Sequence, residues 1–345
     1  MTAPGTPTSA PGPGRTRKLP GTLTVLVAVP LLVSFALWAF AWPAARTAPR
    51  DLPLGVAGPA AATARVEARL DRNPGAFALH AYADEAAARE AVRNRDVYGA
   101  LVATPQGPKL LTASAAGPAV AQLLTEAAAR TAPEGTRVRT EDLVPTPPGD
   151  PRGAALNASV LPLALAGVAT GALVILLRLR GTRGMLALLA AAALVGLAAT
   201  ALTDSWLGVL AGNWWAEAGA FGLTVLAVSS AVAGLGTLLG VKGIGLGATL
   251  TVLLGNPWSG VPSAPELLPE PVGTLGQWLP PGAGGTLLRG VGFFDGRAVD
   301  TPVLVLTVWA VLGLTALALG GLRGTQQRTA APLPAGGNTP SAVRS

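Results

Sequence analysis

The 345-residue chain has no cysteine, which excludes disulfides and thiolate metal sites. Its one histidine, His80, leaves no His-based metal cluster and no Ser-His-Asp triad. Charge is scarce too, at 12% of residues against about 25% in soluble proteins. No phosphate-binding loop is present. Residues 234–243 (GLGTLLGVKG) have glycines and a lysine but neither the spacing of that loop nor a strand before it. Gly243, Gly245 and Gly247 read as small residues that let helices pack. With no nucleophile–base set and no ATPase or hydrolase motif, the expectation is a non-enzyme without cofactor or metal.

What is present is apolar. Half of the residues are hydrophobic and mean hydropathy is +0.48, the profile of an integral membrane protein. Residues 1–20 hold no apolar run and read as a disordered tail ending in Arg15, Arg17 and Lys18. Residues 22–41 then form a stretch long enough to span a bilayer and too long for the core of a signal peptide, so an uncleaved first span is expected over 21–43.

Residues 44–157 differ in kind, with thirteen Lys or Arg and twelve Asp or Glu. Strands are expected at 52–58, 76–82, 97–103 and 109–112, and helices at 61–72, 84–94 and 117–131. Asp84 is placed to cap the second helix and Pro118 to open the third. Alternation of this kind predicts a small α/β domain. Glu67, Asp71 and Glu90 lie at helical spacings from arginines and read as a solvated face, and His80 reads as structural.

Further spans are expected at 160–177, 185–202, 218–239, from Ile244 to about Pro257, and 301–322, followed by a polar tail over 324–345. A basic turn (Arg178, Arg180, Arg183) joins the second and third spans, and Lys242 lies in the turn after the fourth. Trp206, Trp214 and Trp215 suit an interfacial aromatic belt. With the N-terminus inside, the tails and these two turns hold ten Lys or Arg and no acid. Asp204, Glu217, Glu266, Glu270, Asp295 and Asp300 all fall outside, against Arg289 and Arg297. Such segregation predicts six spans with both termini cytoplasmic. It also accounts for the pI near 10.9 by contact with anionic lipid, without nucleic acid as a partner. No ionisable residue lies in the middle of a span, which argues against an ion-coupled carrier. The Asn157-Ala158-Ser159 sequon abuts a span and reads as chance.

Residues 255–296 are the least ordinary part of the chain. Seven prolines and ten glycines in this stretch rule out one continuous helix, yet Trp258, Leu268, Trp278 and Leu279 keep it apolar. A re-entrant segment is expected, entering from the outer face and hinged near Asn256-Pro257, with Trp258, Leu267, Leu268, Trp278 and Leu279 shielded from water. Its candidate gate residues are Asn256, Pro257, Trp258, Leu268, Trp278, Pro280 and Pro281.

The whole is an α-helical polytopic membrane protein with an extracytoplasmic α/β domain inserted between its first and second helices. One span, a large external domain and five more spans make an architecture that resembles the type-2 ABC exporter permease superfamily. Within it, LPLGVAGP (52–59), DEAAAREAVRNRDVYGALVA (84–103), LLTASAAGPAV (110–120), GNPWSGVPSAPELLP (255–269) and LPPGA (279–283) are similar to the phage-infection-protein-like branch of bacterial membrane proteins. The resemblance implies a permease subunit in the bacterial cell membrane, dimeric with itself or a similar permease. It would export a lipidic or drug-like molecule or an envelope component, driven by a separate nucleotide-binding ATPase subunit. The alternative is a non-transporting envelope protein whose external domain binds a partner or wall component.

Overall fold

The computed structural model of the chain describes residues 21–61, 63, 64, 68, 74–131 and 137–329. The two tail expectations, 1–20 and most of 324–345, lie outside these residues, as do Val66 and Leu70 of the helix expected over 61–72. The chain divides at Trp38/Ala39 into two compact units. The first holds most of helix α1 (Gly21–Ala44), in which the Phe35 and Trp38 rings lie 5.8 Å apart. The sheet and the other helices belong to the second.

Residues 52–142 build a five-stranded mixed sheet of order β2-β1-β3-β4-β5. Strands β1 (Leu52–Ala57), β2 (Phe77–Tyr82) and β3 (Gly99–Thr104) are parallel, β4 (Gly107–Thr112) is antiparallel to β3, and β5 (Arg139–Asp142) runs parallel to β4. The strand period of two separates the side chains cleanly. Leu52, Leu54, Leu101 and Leu110 pack on one face with Val120 and Leu124 of α3 (Pro118–Thr131). Ala57, Ala100, Val102 and Leu111 pack on the other with Ala88, Ala91 and Val92 of α2 (Glu85–Asn94). Asp84 caps α2, its carboxylate accepting the Ala87 N–H at 2.8 Å. At the edge of the sheet, Arg89 and Lys109 each bridge Glu85 and Glu141. Hydrogen bonds from Arg89 and Lys109 hold the Glu141 carboxyl down at about 2. Glu90 pairs instead with Arg297 at 3.2 Å, and His80 is exposed on edge strand β2.

The rest is mostly helical, and five helices among the described residues are long and apolar enough to cross a membrane. They are Val25–Ala44, Ala154–Leu176, Thr182–Trp206, Trp214–Leu239 and Asp300–Gly320. This fits a polytopic membrane protein. In chain order the four after the sheet are α4 (Ala154–Leu176), α5 (Thr182–Thr200, continued as a π-helix Ala201–Trp206), α6 (Trp214–Leu239) and, last in the chain, the long helix Asp300–Thr329. That last helix runs on through 324–329, where a tail was expected to begin.

Helix α6 is the axis of the bundle. Gly167 and Gly171 of α4 abut Val228 and Ser229, and Gly196 of α5 abuts Ala218, each close enough that a methyl group would collide. Small residues at these crossings let the backbones approach, the packing currency available where lipid tails are as apolar as leucine. Gly243 and Gly247 behave as expected, against Leu235 and Val232, whereas Gly245 faces open space.

The segment expected from Ile244 differs in detail. Helix α7 (Val241–Ala248) runs into a π-helix, Thr249–Gly255, and a last turn, Asn256–Trp258. These 18 residues give about 27 Å at 1.5 Å per residue. The expected hinge at Asn256-Pro257 is not there, because Gly255 and Asn256 keep helical φ of −62° and −71°. Pro257 brings no N–H to the ladder, and the wider turns just before it absorb that gap. The chain reverses at Gly260, with φ of +68°.

Candidate functional site

Beyond Gly260 the proline-rich stretch resolves into two short helices, α8 (Val272–Gln277) and α9 (Pro280–Phe293), before the last helix, α10 (Asp300–Thr329). Helix α9 holds five glycines in fourteen residues, yet it is buried along nearly its whole length. The glycines are the reason. A Cβ on Gly284 would lie 2.4 Å from Thr224, and one on Gly285 2.1 Å from Val261. Pro280 and Pro281 open the helix, where their missing N–H groups have no intrahelical partner to lose.

The depth of this helix follows from its neighbours. Gly284 meets Thr224, ten residues into α6, about 15 Å along its axis. Val291 lies beside Gly212, just before α6 begins. Trp309, nine residues into α10, donates its indole N–H to the Trp278 carbonyl at 2.8 Å. The tip at residues 278–284 thus stands part-way along α6, and α9 climbs back antiparallel to it.

The seven gate candidates are brought together around this tip. The Trp258 carbonyl abuts Gly276, and Pro281 abuts Gly255. Asn256 and Pro257 are half-buried, Pro280 and Pro281 buried, and Leu268 is 6% exposed. Leu267 is buried as expected, while Trp278 differs, with 62% of its surface exposed on the protein. The belt tryptophans also gather. Trp214 stacks edge-on to Trp215 and donates to the Ser205 hydroxyl at 3.1 Å, next to Trp206. Trp206 and Trp215 are exposed. Arg178, Arg180, Arg183 and Lys242 are exposed too, and none forms an ion pair among the described residues. Ile175 and Ile244 flank Gly236, which brings the two basic turns to one end of the bundle.

The ends of the stretch hold the sheet. Ala264 and Leu267 join the core on the α3 face, and Phe294 joins the core on the α2 face. Polar contacts follow the same seam. Arg50 donates to the Leu267 carbonyl at 3.0 Å, and Tyr98 donates its hydroxyl to Glu266 at 2.8 Å. Arg297 donates to Asn94 at 2.6 Å.

Between sheet and stretch lies a cavity of about 520 Å³, lined among others by Arg95, Tyr98, Glu266, Gln277, Thr286 and Arg289. Sequence reasoning missed it. Arg289 was counted with the outer-loop charges, and it is only 4% exposed. One guanidinium nitrogen donates to the Val261 carbonyl at 2.9 Å, and Nε has no partner. Arg95, held in a left-handed conformation at the C-cap of α2, lies over the Phe294 ring and donates to the Thr286 carbonyl at 3.3 Å. Burial and Glu266 raise Tyr98. The one signal available in the sequence was a single charge inside the apolar run GAGGTLLRGVGFF. Glu217, placed at the outer edge by the charge count, is fully buried in the first turn of α6, accepting the Gly212 N–H at 2.9 Å. There the amino end of the helix favours a carboxylate.

A second cavity, of about 610 Å³, opens where Phe40, Val160, Leu161, Asn256, Pro257 and Val261 meet, and its lining contains no charged side chain. Leu268 belongs to the walls of both cavities. Asn157 reaches the second one, with its amide oxygen buried in α4. No family model, no curated protein and no solved structure matches this chain.

Proposed function

We propose that the chain is the permease-like membrane subunit of an exporter for a lipidic or drug-like molecule or an envelope component. In this reading the run Val241–Trp258 is the sixth crossing of a bacterial cell membrane. Both termini are cytoplasmic, and residues 44–157 form the extracytoplasmic domain. The observation that carries it is the half-depth hairpin beside an uncharged cavity. A glycine-rich helix that stops at the middle of the bundle, with a proline tip, is a movable plug for apolar cargo, whereas a sixth continuous helix would seal the path. The charge-free lining of the 610 Å³ cavity suits a lipid chain and no ion. The resemblance to type-2 ABC exporter permeases adds the separate ATPase and the dimer.

The exposed basic turns at one end of the bundle supply the docking face for that ATPase. Purification from native membrane in mild detergent, followed by mass spectrometry, is expected to recover a nucleotide-binding subunit with the chain. Charge reversal at Arg178, Arg180, Arg183 and Lys242 should reduce its recovery about tenfold, the scale of a few charged contacts. Recovery of the chain alone, before and after reversal, would remove the export reading.

One observation favours the second reading, a non-transporting envelope protein. The sheet is fastened to the hairpin on both faces, a rigid mount suited to presenting a binding domain. Deletion of 44–157 that abolishes function in cells, with no ATPase partner found, would select it.

A further inference from the structure

We propose that the cavity between the sheet and the hairpin binds an oxyanion, a phosphate or carboxylate group, between the guanidinium groups of Arg95 and Arg289. The inference does not rest on transport and holds for either reading above. Its first ground is an unbalanced charge. Arg289 is 4% exposed, keeps an unpartnered Nε, and faces a second arginine across the same cavity. Neither guanidinium forms an ion pair among the described residues. A buried charge without a counter-ion is strongly destabilising, so Arg289, facing half-buried Arg95 across a common space, marks a place where an anion is missing.

The acid in the cavity does not fill that place. Glu266 already accepts the Tyr98 hydroxyl, and one carboxylate faces two guanidiniums. Asp51, Asp96 and Glu270 also line the cavity, but all three are exposed. Arg50, the third arginine of the lining, is spent on the carbonyls of Arg46, Ala48 and Leu267. The inner part of the cavity is therefore cationic and its outer part acidic. That arrangement admits a single oxyanion and repels polyanions.

The second ground is size and donors. A volume of about 520 Å³ suits a small ligand or a lipid headgroup. Planar guanidinium groups match phosphate and carboxylate oxygens in pairs, which a lysine cannot do. Thr274 and Gln277 add polar side chains to the wall. Because Leu268 also borders the second cavity, a lipid could place its headgroup on one side of this residue and a chain on the other.

The test is equilibrium dialysis of the full-length protein in maltoside detergent, at constant ionic strength set with chloride. The probes are inorganic phosphate, acetate and short-chain phosphatidic acid. Saturable binding of at least one probe is expected, weakened about tenfold or more in both Arg95→Gln and Arg289→Gln by loss of a charge-assisted bond. Glu266→Gln should bind more tightly, since it removes the competing carboxylate. That sign separates a built site from general adhesion of anions. If Arg289→Gln does not fold, Arg95→Gln and Glu266→Gln carry the test. Phosphatidic acid binding tenfold better than phosphate assigns a lipid headgroup, and equal binding assigns a free solute. Absence of saturable binding by all three probes overturns the proposal. So does binding that Arg95→Gln and Glu266→Gln leave unchanged.

Discussion

Replacing Gly276 with alanine is expected to destabilise the protein by more than about 3 kcal/mol, beyond the usual range for overpacking. A Cβ there would stand 1.7 Å from the carbonyl oxygen of Trp258, which is backbone and has no rotamer to yield. The contact joins the end of the Asn256–Trp258 turn to α8, so relief would have to part the two arms of the hairpin. Pro281 against Gly255 and the Trp309–Trp278 bond would go with it. Gly245→Ala is the control, because open space surrounds that glycine. Alanine there also removes a helix-interior glycine, which should be neutral or favourable by up to about 1 kcal/mol. Melting temperature and the monodisperse fraction in detergent measure both. A Gly276→Ala protein that melts within about 2 °C of the parent would show that the two arms do not pack as described.

Leu267→Asp should release the sheet. Leu267 is 2% exposed and sits in one core with Leu52, Leu54 and Val120. A carboxylate at that point is buried without a partner, at a cost on the order of 3–5 kcal/mol. The bundle around α6 shares none of these contacts and should stay folded. Limited proteolysis is expected to cut within 44–157 in Leu267→Asp and to leave the helices α4–α6 intact. Leu267→Met, which conserves volume, should resist like the parent. Equal resistance of all three proteins would mean that the hairpin does not hold the sheet.

The parts of this fold with a local cause are legible in the sequence. Strand β1 is apolar at both parities because both of its faces are covered. Helix α2 shows its start in Asp84 and its buried stripe in Ala88, Ala91 and Val92. The exposure of Trp206, Trp215 and the basic turns suits the composition of those stretches. Strand β5 does not, since RTED is polar throughout and pairs only along β4.

Helix α9 is invisible for a sharper reason. Gly282, Gly284, Gly285, Gly290 and Gly292 together cost several kcal/mol of helix propensity, at about 1 kcal/mol each. What offsets them is close approach to Thr224, Val261 and Leu210, which are distant in sequence. The polar cavity is hidden for the same reason. Arg95 and Arg289 lie far apart in the sequence, one in the α/β domain and one in the proline-rich stretch, and a charge count gives no sign that they meet. Burial of Glu217 is a property of the assembled bundle, and that of Arg289 shows locally only as a lone charge in an apolar run.

As a plug for export, residues 255–296 should enter and leave the membrane on one side. The chain has no cysteine, so single cysteines report position without interference. Glu270→Cys and Asp295→Cys, tested on intact cells with an impermeant maleimide, should both label rapidly. Leu279→Cys, at the tip, should label from neither side while remaining accessible after denaturation. Labelling of Glu270→Cys and Asp295→Cys from opposite sides of the membrane would make the segment a crossing and contradict the hairpin.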